Sequence, residues 1–137
     1  MSISLHKVLS KNDTGETGGH QDGFHIPKTK EALSFFPNLD SSIKNPRSKI
    51  LFYDKETNEH WTFTFIYYNN KFFGGTRNEY RLTRVARYIK SKGLSFGDTI
   101  MLDYDKLNFV IAYKLSSSLE DKNSPIHLSG KKRVIYI

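Results

Sequence analysis

Apolar and polar positions alternate with a period of two along much of this chain, and the alternation predicts short strands. Ser2 to Leu9 mixes β-branched and apolar residues with polar ones and reads as a first strand. A polar, glycine-rich loop follows from Ser10 to Gly23. Phe24-His25-Ile26 is a short strand stopped by Pro27, and Lys28 to Phe36 reads as a short helix ended by Pro37. Lys49 to Tyr53 and His60 to Tyr68 are aromatic and β-branched runs joined by the polar segment DKETNE, which predicts a hairpin. Within the second run Trp61, Phe63, Phe65 and Tyr67 share one face, which should point into the core.

From Arg81 onward the period changes. Leu82, Val85, Ala86 and Ile89 recur at helical spacing, with Arg84, Arg87 and Lys90 outside that stripe, so an amphipathic helix capped by Gly93 is expected. Thr99 to Leu102 and Asn108 to Leu115 form a second hairpin across DYDKL. Ser116 to Ser124 is a loop, and Arg133 to Ile137 is a last strand. The expected fold is mostly β with two short helices: about seven strands, neighbours in sequence pairing into an antiparallel-rich, open or half-closed barrel. At 137 residues the chain is one domain, and because it stops in a strand it is expected to be part of a longer protein.

Composition narrows the function classes. With 37% hydrophobic and 26% charged residues the chain has the make-up of a folded globule. It has no cysteine, which excludes a disulfide framework, a thiolate metal site and a cysteine nucleophile, and fits a reducing cytoplasm. No apolar run approaches the ~20 residues of a membrane span, and the N-terminus has no signal-peptide core. The net charge of +7 is concentrated: Lys71 to Lys92 holds seven basic residues against the single acid Glu79. A local basic patch on a nearly neutral remainder is the electrostatic signature of a polyanion binder, although a solvated helix face has the same composition.

Two segments carry candidate chemistry. The first, LSKNDTGETGGHQDGFHIP, presents Lys11, Asn12, Asp13, Thr14, Thr17, His20 and Gln21 among glycines, a set of hydrogen-bonding tips on a backbone able to approach a surface closely. It lacks the spacing of a phosphate-cradling nucleotide loop, and Asp13, His20, Asp22 and His25 match no zinc pattern, so neither a metal nor another cofactor is expected. The second, FIYYNNKFFGGTRNEYRLTRVAR, contains Asn69, Lys71, Thr76, Arg77, Asn78, Glu79 and Arg81. Arginine grips guanine through two hydrogen bonds, asparagine pairs with adenine, and glutamate accepts from the cytosine amino group. A local ion pair of Glu79 with Arg77 or Arg81 is the competing reading. Arg84 and Arg87 are better placed for phosphates.

The loop NDTGETGGHQ ahead of an Ile-Pro pair, with the later IYYN, FGGTRNE and RLTR, resembles the N-terminal effector domain of EcoRII-type restriction endonucleases, in the same order and at similar separation. The likeness covers about 40 residues in two blocks. It implies a DNA-binding pseudobarrel, similar to plant transcription-factor domains, whose two loop-borne arms enter the major groove of a short duplex site. It also implies that the domain binds CCWGG or a related site and regulates a covalently linked nuclease domain, itself remaining a monomeric, non-catalytic unit in the cytosol. By this resemblance the first arm is Lys11 to Gln21 and the second Lys71 to Arg81. Gly75 departs from the pattern, standing where the family tends to place a basic residue.

A nuclease centre of the restriction type needs an acid followed by E-x-K on a strand, so that carboxylates hold a metal ion. Glu120-Asp121-Lys122 after Asp103 or Asp105 fits formally, but SSSLEDKNSP has the composition of a loop. A small metal-dependent nuclease using Glu120 and Lys122, and a barrel binding RNA or protein, are the alternatives to a duplex-DNA reader.

Overall fold

In the computed structural model, residues 3–16, 23–105, 107–116 and 133–137 are described. Their strands are β1 (Ile3–Val8), β2 (Phe24–Ile26), β3 (Arg47–Asp54), β4 (Glu59–Tyr68), β5 (Glu79–Thr83), β6 (Thr99–Asp105), β7 (Asn108–Lys114) and β8 (Arg133–Tyr136). Two short helices, α1 (Lys30–Ser34) and α2 (Ala86–Ser91), lie between them. The strands join into one eight-stranded sheet in the order β2-β5-β4-β3-β7-β6-β1-β8, a curled half-barrel left open at β2 and β8. Pairings are antiparallel except β1 with β8 and β3 with β7.

The strand beyond the expected seven is β5, where the sequence predicts the start of a helix. Leu82 is buried from a strand, opposite Phe65 of β4 and Phe24 of β2, and Tyr80 stacks on Tyr67 at 4.1 Å between ring centroids. Helical order begins only at Ala86, after Arg84 turns the chain at φ +67°. The apolar stripe of α2 is Tyr88 and Ile89, continued by Val85 ahead of it, and Ala86 faces outward. The expected run of Arg84, Arg87 and Lys90 along one helix is therefore corrected: only the last two are helical.

The β3–β4 hairpin runs in register from Arg47 opposite Ile66 to Asp54 opposite Glu59. As the alternation predicts, Phe63, Phe65 and Tyr67 are buried on the core face, and Trp61 packs partly buried at its edge. Phe36 stacks on Phe65 at 4.3 Å, and Phe52 lies 5.2 Å from Phe63. The helix α1 is shorter than expected. Thr29 caps it, its hydroxyl accepting from the Ala32 N–H at 3.2 Å, and Phe35 and Phe36 turn into the core beyond its end. Where the first arm rejoins the sheet, Gly23 has φ +102°, and a Cβ there would stand 2.1 Å from the Leu82 carbonyl oxygen. Only glycine lets the chain lie that close to β5.

Candidate nucleic-acid interface

The root of the first arm is fixed by backbone bonds to the turn after α2: the Leu9 N–H donates to Asp98 O at 2.8 Å and Gly97 N–H to Leu9 O at 2.9 Å. Asp98 is buried and accepts from the Ser95 and Ser116 amides. Asp13 and Ser10 cap each other, Ser10 N–H to Asp13 Oδ2 at 2.8 Å and Asp13 N–H to Ser10 Oγ at 3.1 Å, and Lys7 pairs with the same carboxylate at 3.4 Å. With its side chain 7% exposed, Asp13 shapes the turn at the root of the arm. Thr14 donates to Lys11 O and pairs with Glu16, whose carboxylate also accepts from Phe96 N–H at 3.0 Å. These bonds, that from Thr14 first, hold the Glu16 carboxyl below its ordinary range. Lys11 and Asn12 face outward. Thr17, His20 and Gln21 lie outside the described residues, as do Glu120 and Lys122.

The second arm springs from Asn69, which is fully buried. Its side chain accepts from Asn45 N–H at 2.7 Å and donates to Ser41 O and Ile43 O at 3.2 and 2.9 Å. Expected as a contact residue, Asn69 is instead the anchor of the arm, since every polar atom of its side chain is spent on backbone. A 3-10 turn, Asn70–Phe73, follows, and the loop closes with Lys71 N–H to Arg77 O at 2.9 Å and Arg77 N–H to Asn70 Oδ1 at 2.6 Å. A Cβ on residue 75 would stand 2.7 Å from Asn70 Cγ, so a larger residue would push on the side chain that closes the loop. That is a local reason for Gly75.

Around this lock Lys71, Thr76 and Arg77 are exposed, with Asn78 and Glu79 half-buried beside them. The Arg77 guanidinium lies over the Tyr68 ring, 3.7 Å from its centroid, and pairs with Glu79 Oε1 at 2.5 Å. The Arg77 bond, larger than the opposing effect of burial, lowers the Glu79 carboxyl and keeps it ionised. Asn78 Oδ1 accepts from the Tyr67 hydroxyl at 2.7 Å, which holds its amide group in place, and Lys28 donates to the Asn78 carbonyl at 3.0 Å. Arg81, on β5, donates to Gly23 O at 2.9 Å with its side chain 12% exposed. It ties the end of the first arm to the root of the second more than it offers a tip to a ligand.

The structure thus brings Arg77, Asn78 and Glu79 together on a closed loop, while Arg84 and Arg87 stand exposed on the outer side of the sheet. It also exposes Phe72 and Phe73, 65% and 44%, at the tip of the arm. The adjacent phenylalanines between NNK and GGT were the signal for that, since a pair in a polar turn has no core to enter. Among the described residues no group of three His, Cys, Asp or Glu side chains could hold a metal, and no helix is long and apolar enough to cross a membrane.

Comparison with known proteins agrees with this geometry. The FUS3–DNA complex of Arabidopsis superimposes with a TM-score of 0.63 at 25% identity, over 83% of this chain and 97% of that one. The B3 domain of the restriction endonuclease UbaLAI, solved with cognate DNA, gives 0.54 at 24% identity, over 87% of this chain and 72% of that one. The type II restriction enzyme EcoRII of Escherichia coli is 41% identical over 83 residues, which is 57% of this chain. The chain spans about 20% of the length of that curated relative. The family described as the N-terminal domain of restriction endonuclease EcoRII matches residues 2–94, more than half of the sequence, and this chain belongs to that family.

Proposed function

We propose that this chain is a sequence-specific duplex-DNA-binding domain, the effector domain of a type II restriction enzyme, which reads CCWGG or a related short site through its two arms. The observation that carries the reading is the second arm. Its Arg77, Asn78 and Glu79 are the residue types that recognise base edges, and Tyr67, Tyr68 and Asn70 hold them in place before any ligand arrives. A planar arginine already stacked loses less freedom on binding. Glu79 at the centre of a basic patch opposes phosphate but suits a cytosine amino group. The likeness to domains solved with DNA, and to EcoRII itself, supports the same reading. Cleavage would then belong to another part of a longer protein, with residues 1–137 acting as one non-catalytic domain.

Salt dependence is the first test. If the ~4 cations of the patch left for phosphates, Lys71, Arg84, Arg87 and Lys90, touch them, log K against log salt should fall with a slope of about −4. A slope near zero at measurable affinity contradicts a DNA surface.

A further inference from the structure

The two phenylalanines at the tip of the second arm belong neither to the polar set of Arg77, Asn78 and Glu79 nor to the core. Of the ten phenylalanines in the chain Phe72 is the most exposed, at 65%, and Phe73 is its neighbour in the same 3-10 turn. The turn that carries them is fixed. Phe72 N–H donates to Asn69 O at 3.0 Å and Gly75 N–H to Asn70 O at 2.7 Å, above the buried Asn69 side chain that roots the turn in residues 41–45. A ring on a loose loop can fold back onto its neighbours. One held out by a closed turn stays in water until a partner covers it, and covering it is favourable.

The setting selects the partner. Lys71 before the pair and Arg77 across the closure are exposed cations, and no acid occurs between residues 69 and 78, so the mount draws the ring towards a polyanion. The backbone bond from Lys71 N–H to Arg77 O, 2.9 Å, also fixes how near Phe72 stands to the base-reading residues. Its Cα is one step of ~3.8 Å from that closure, about the rise of one base pair. With Arg77 on a guanine edge, the ring therefore meets the neighbouring pair. The groups that arginine and glutamate suit, guanine O6 and N7 and the cytosine amino group, lie on the floor of the major groove. The apolar group on that floor is the 5-methyl of thymine.

Resting on the reading that this arm binds duplex DNA, we propose that Phe72 is a further specificity-determining residue, whose ring packs on the 5-methyl group of a thymine next to the guanine held by Arg77. The CCWGG pentamer has a single A·T pair, so it offers one thymine methyl, and a guanine adjoins that pair. The contact carries no charge. It adds discrimination at one base pair and leaves the phosphate contacts as they are.

The test titrates the 137-residue chain by fluorescence anisotropy with three duplexes of equal length: one with CCWGG, the same duplex with its central thymine replaced by uracil, and a scrambled one. Removing the single methyl should weaken wild type about 3- to 5-fold, the scale of one buried methyl group. Phe72→Ala should weaken the thymine duplex by about that factor or more, bind thymine and uracil duplexes equally, and keep the wild-type salt slope, because no cation is lost. Its melting temperature should match wild type, since an exposed ring leaves no hole in the core. Phe73→Ala should retain the thymine preference, as successive side chains in a 3-10 turn point about 120° apart.

Wild type that binds thymine and uracil duplexes equally, yet prefers both to the scrambled one, overturns the methyl contact and leaves base reading by the polar residues standing. A Phe72→Ala chain that still prefers thymine to uracil overturns it too, the mark of a ring that wedges between bases or lies on sugars. So does loss of that preference in Phe73→Ala alone. If wild type does not prefer CCWGG to the scrambled duplex, the reading of the arms itself fails, and the contact with it.

Discussion

Lys92→Ala should destabilise the fold by about 3–5 kcal/mol at neutral pH, the cost of leaving a buried carboxylate without its partner. Lys92 follows α2, and its ammonium lies 3.0 Å from Asp54 Oδ2 and 2.8 Å from Glu59 Oε1. The Lys92 and Asp54 side chains are 8% and 4% exposed, with the Trp61 and Tyr88 rings 5.8 Å from the cation. The contact pins the helix that carries Arg87 to the end of the β3–β4 hairpin. Burial alone would raise the Asp54 carboxyl, but hydrogen bonds from Lys92, Thr57 and Glu56 outweigh it and leave the group below its ordinary range. A depressed carboxylate contributes stability that is complete above its unfolded value, near ~3.9, and is lost as pH falls through the folded one. The gap between wild type and variant should therefore be full at pH 7 and narrow in acid. Urea unfolding at the two pH values measures it. A gap under ~1 kcal/mol at pH 7, or one that acid leaves unchanged, would remove this pair from the account.

Arg77→Ala and Arg87→Ala are expected to fail in different ways. Arg77 sits on the closed loop, stacked on Tyr68 and braced by Glu79, with enough guanidinium donors left to grip a guanine edge. Its loss should cost ~1–3 kcal/mol on the cognate duplex, change non-specific binding little, and relax preference at one guanine. Arg87 is exposed on α2 with no base-reading neighbour, so its loss should weaken cognate and scrambled duplexes alike and lower the salt slope by about one unit. Binding curves for both variants on both duplexes decide between these outcomes. Equal losses for Arg77→Ala would reduce the TRNE segment to a basic patch. The ion pair with Glu79, open at the level of composition, is present at 2.5 Å.

Where one periodicity ruled, the fold was readable. The strict alternation from His60 to Tyr68 gave the core face of β4, and the polar stretch before it gave the hairpin. From Glu79 to Ile89 two periods overlap. Leu82, Val85 and Ile89 have helical spacing, but Leu82 is buried by strand pairing, and the left-handed bend at Arg84 divides the segment. Cross-strand partners more than a dozen residues away decide that question, and local pattern does not contain them. The site shows the same division. Exposed tips such as Lys71, Thr76 and Arg77 were legible from type and setting. The anchoring roles of Asn69 and Arg81 were not, because they depend on backbone groups of residues 41–45 and of Gly23.

Sequence-specific reading of duplex DNA is tested by the affinity of this chain for a CCWGG duplex against a scrambled duplex of equal length at ~0.15 M salt. A preference of about 1,000-fold or more is expected, on the scale of specific recognition. Should CCWGG not be preferred, selection from randomised duplexes with the same chain should yield another short site bound with comparable preference. Equal affinity for every duplex, with no sequence enriched by selection, would contradict it.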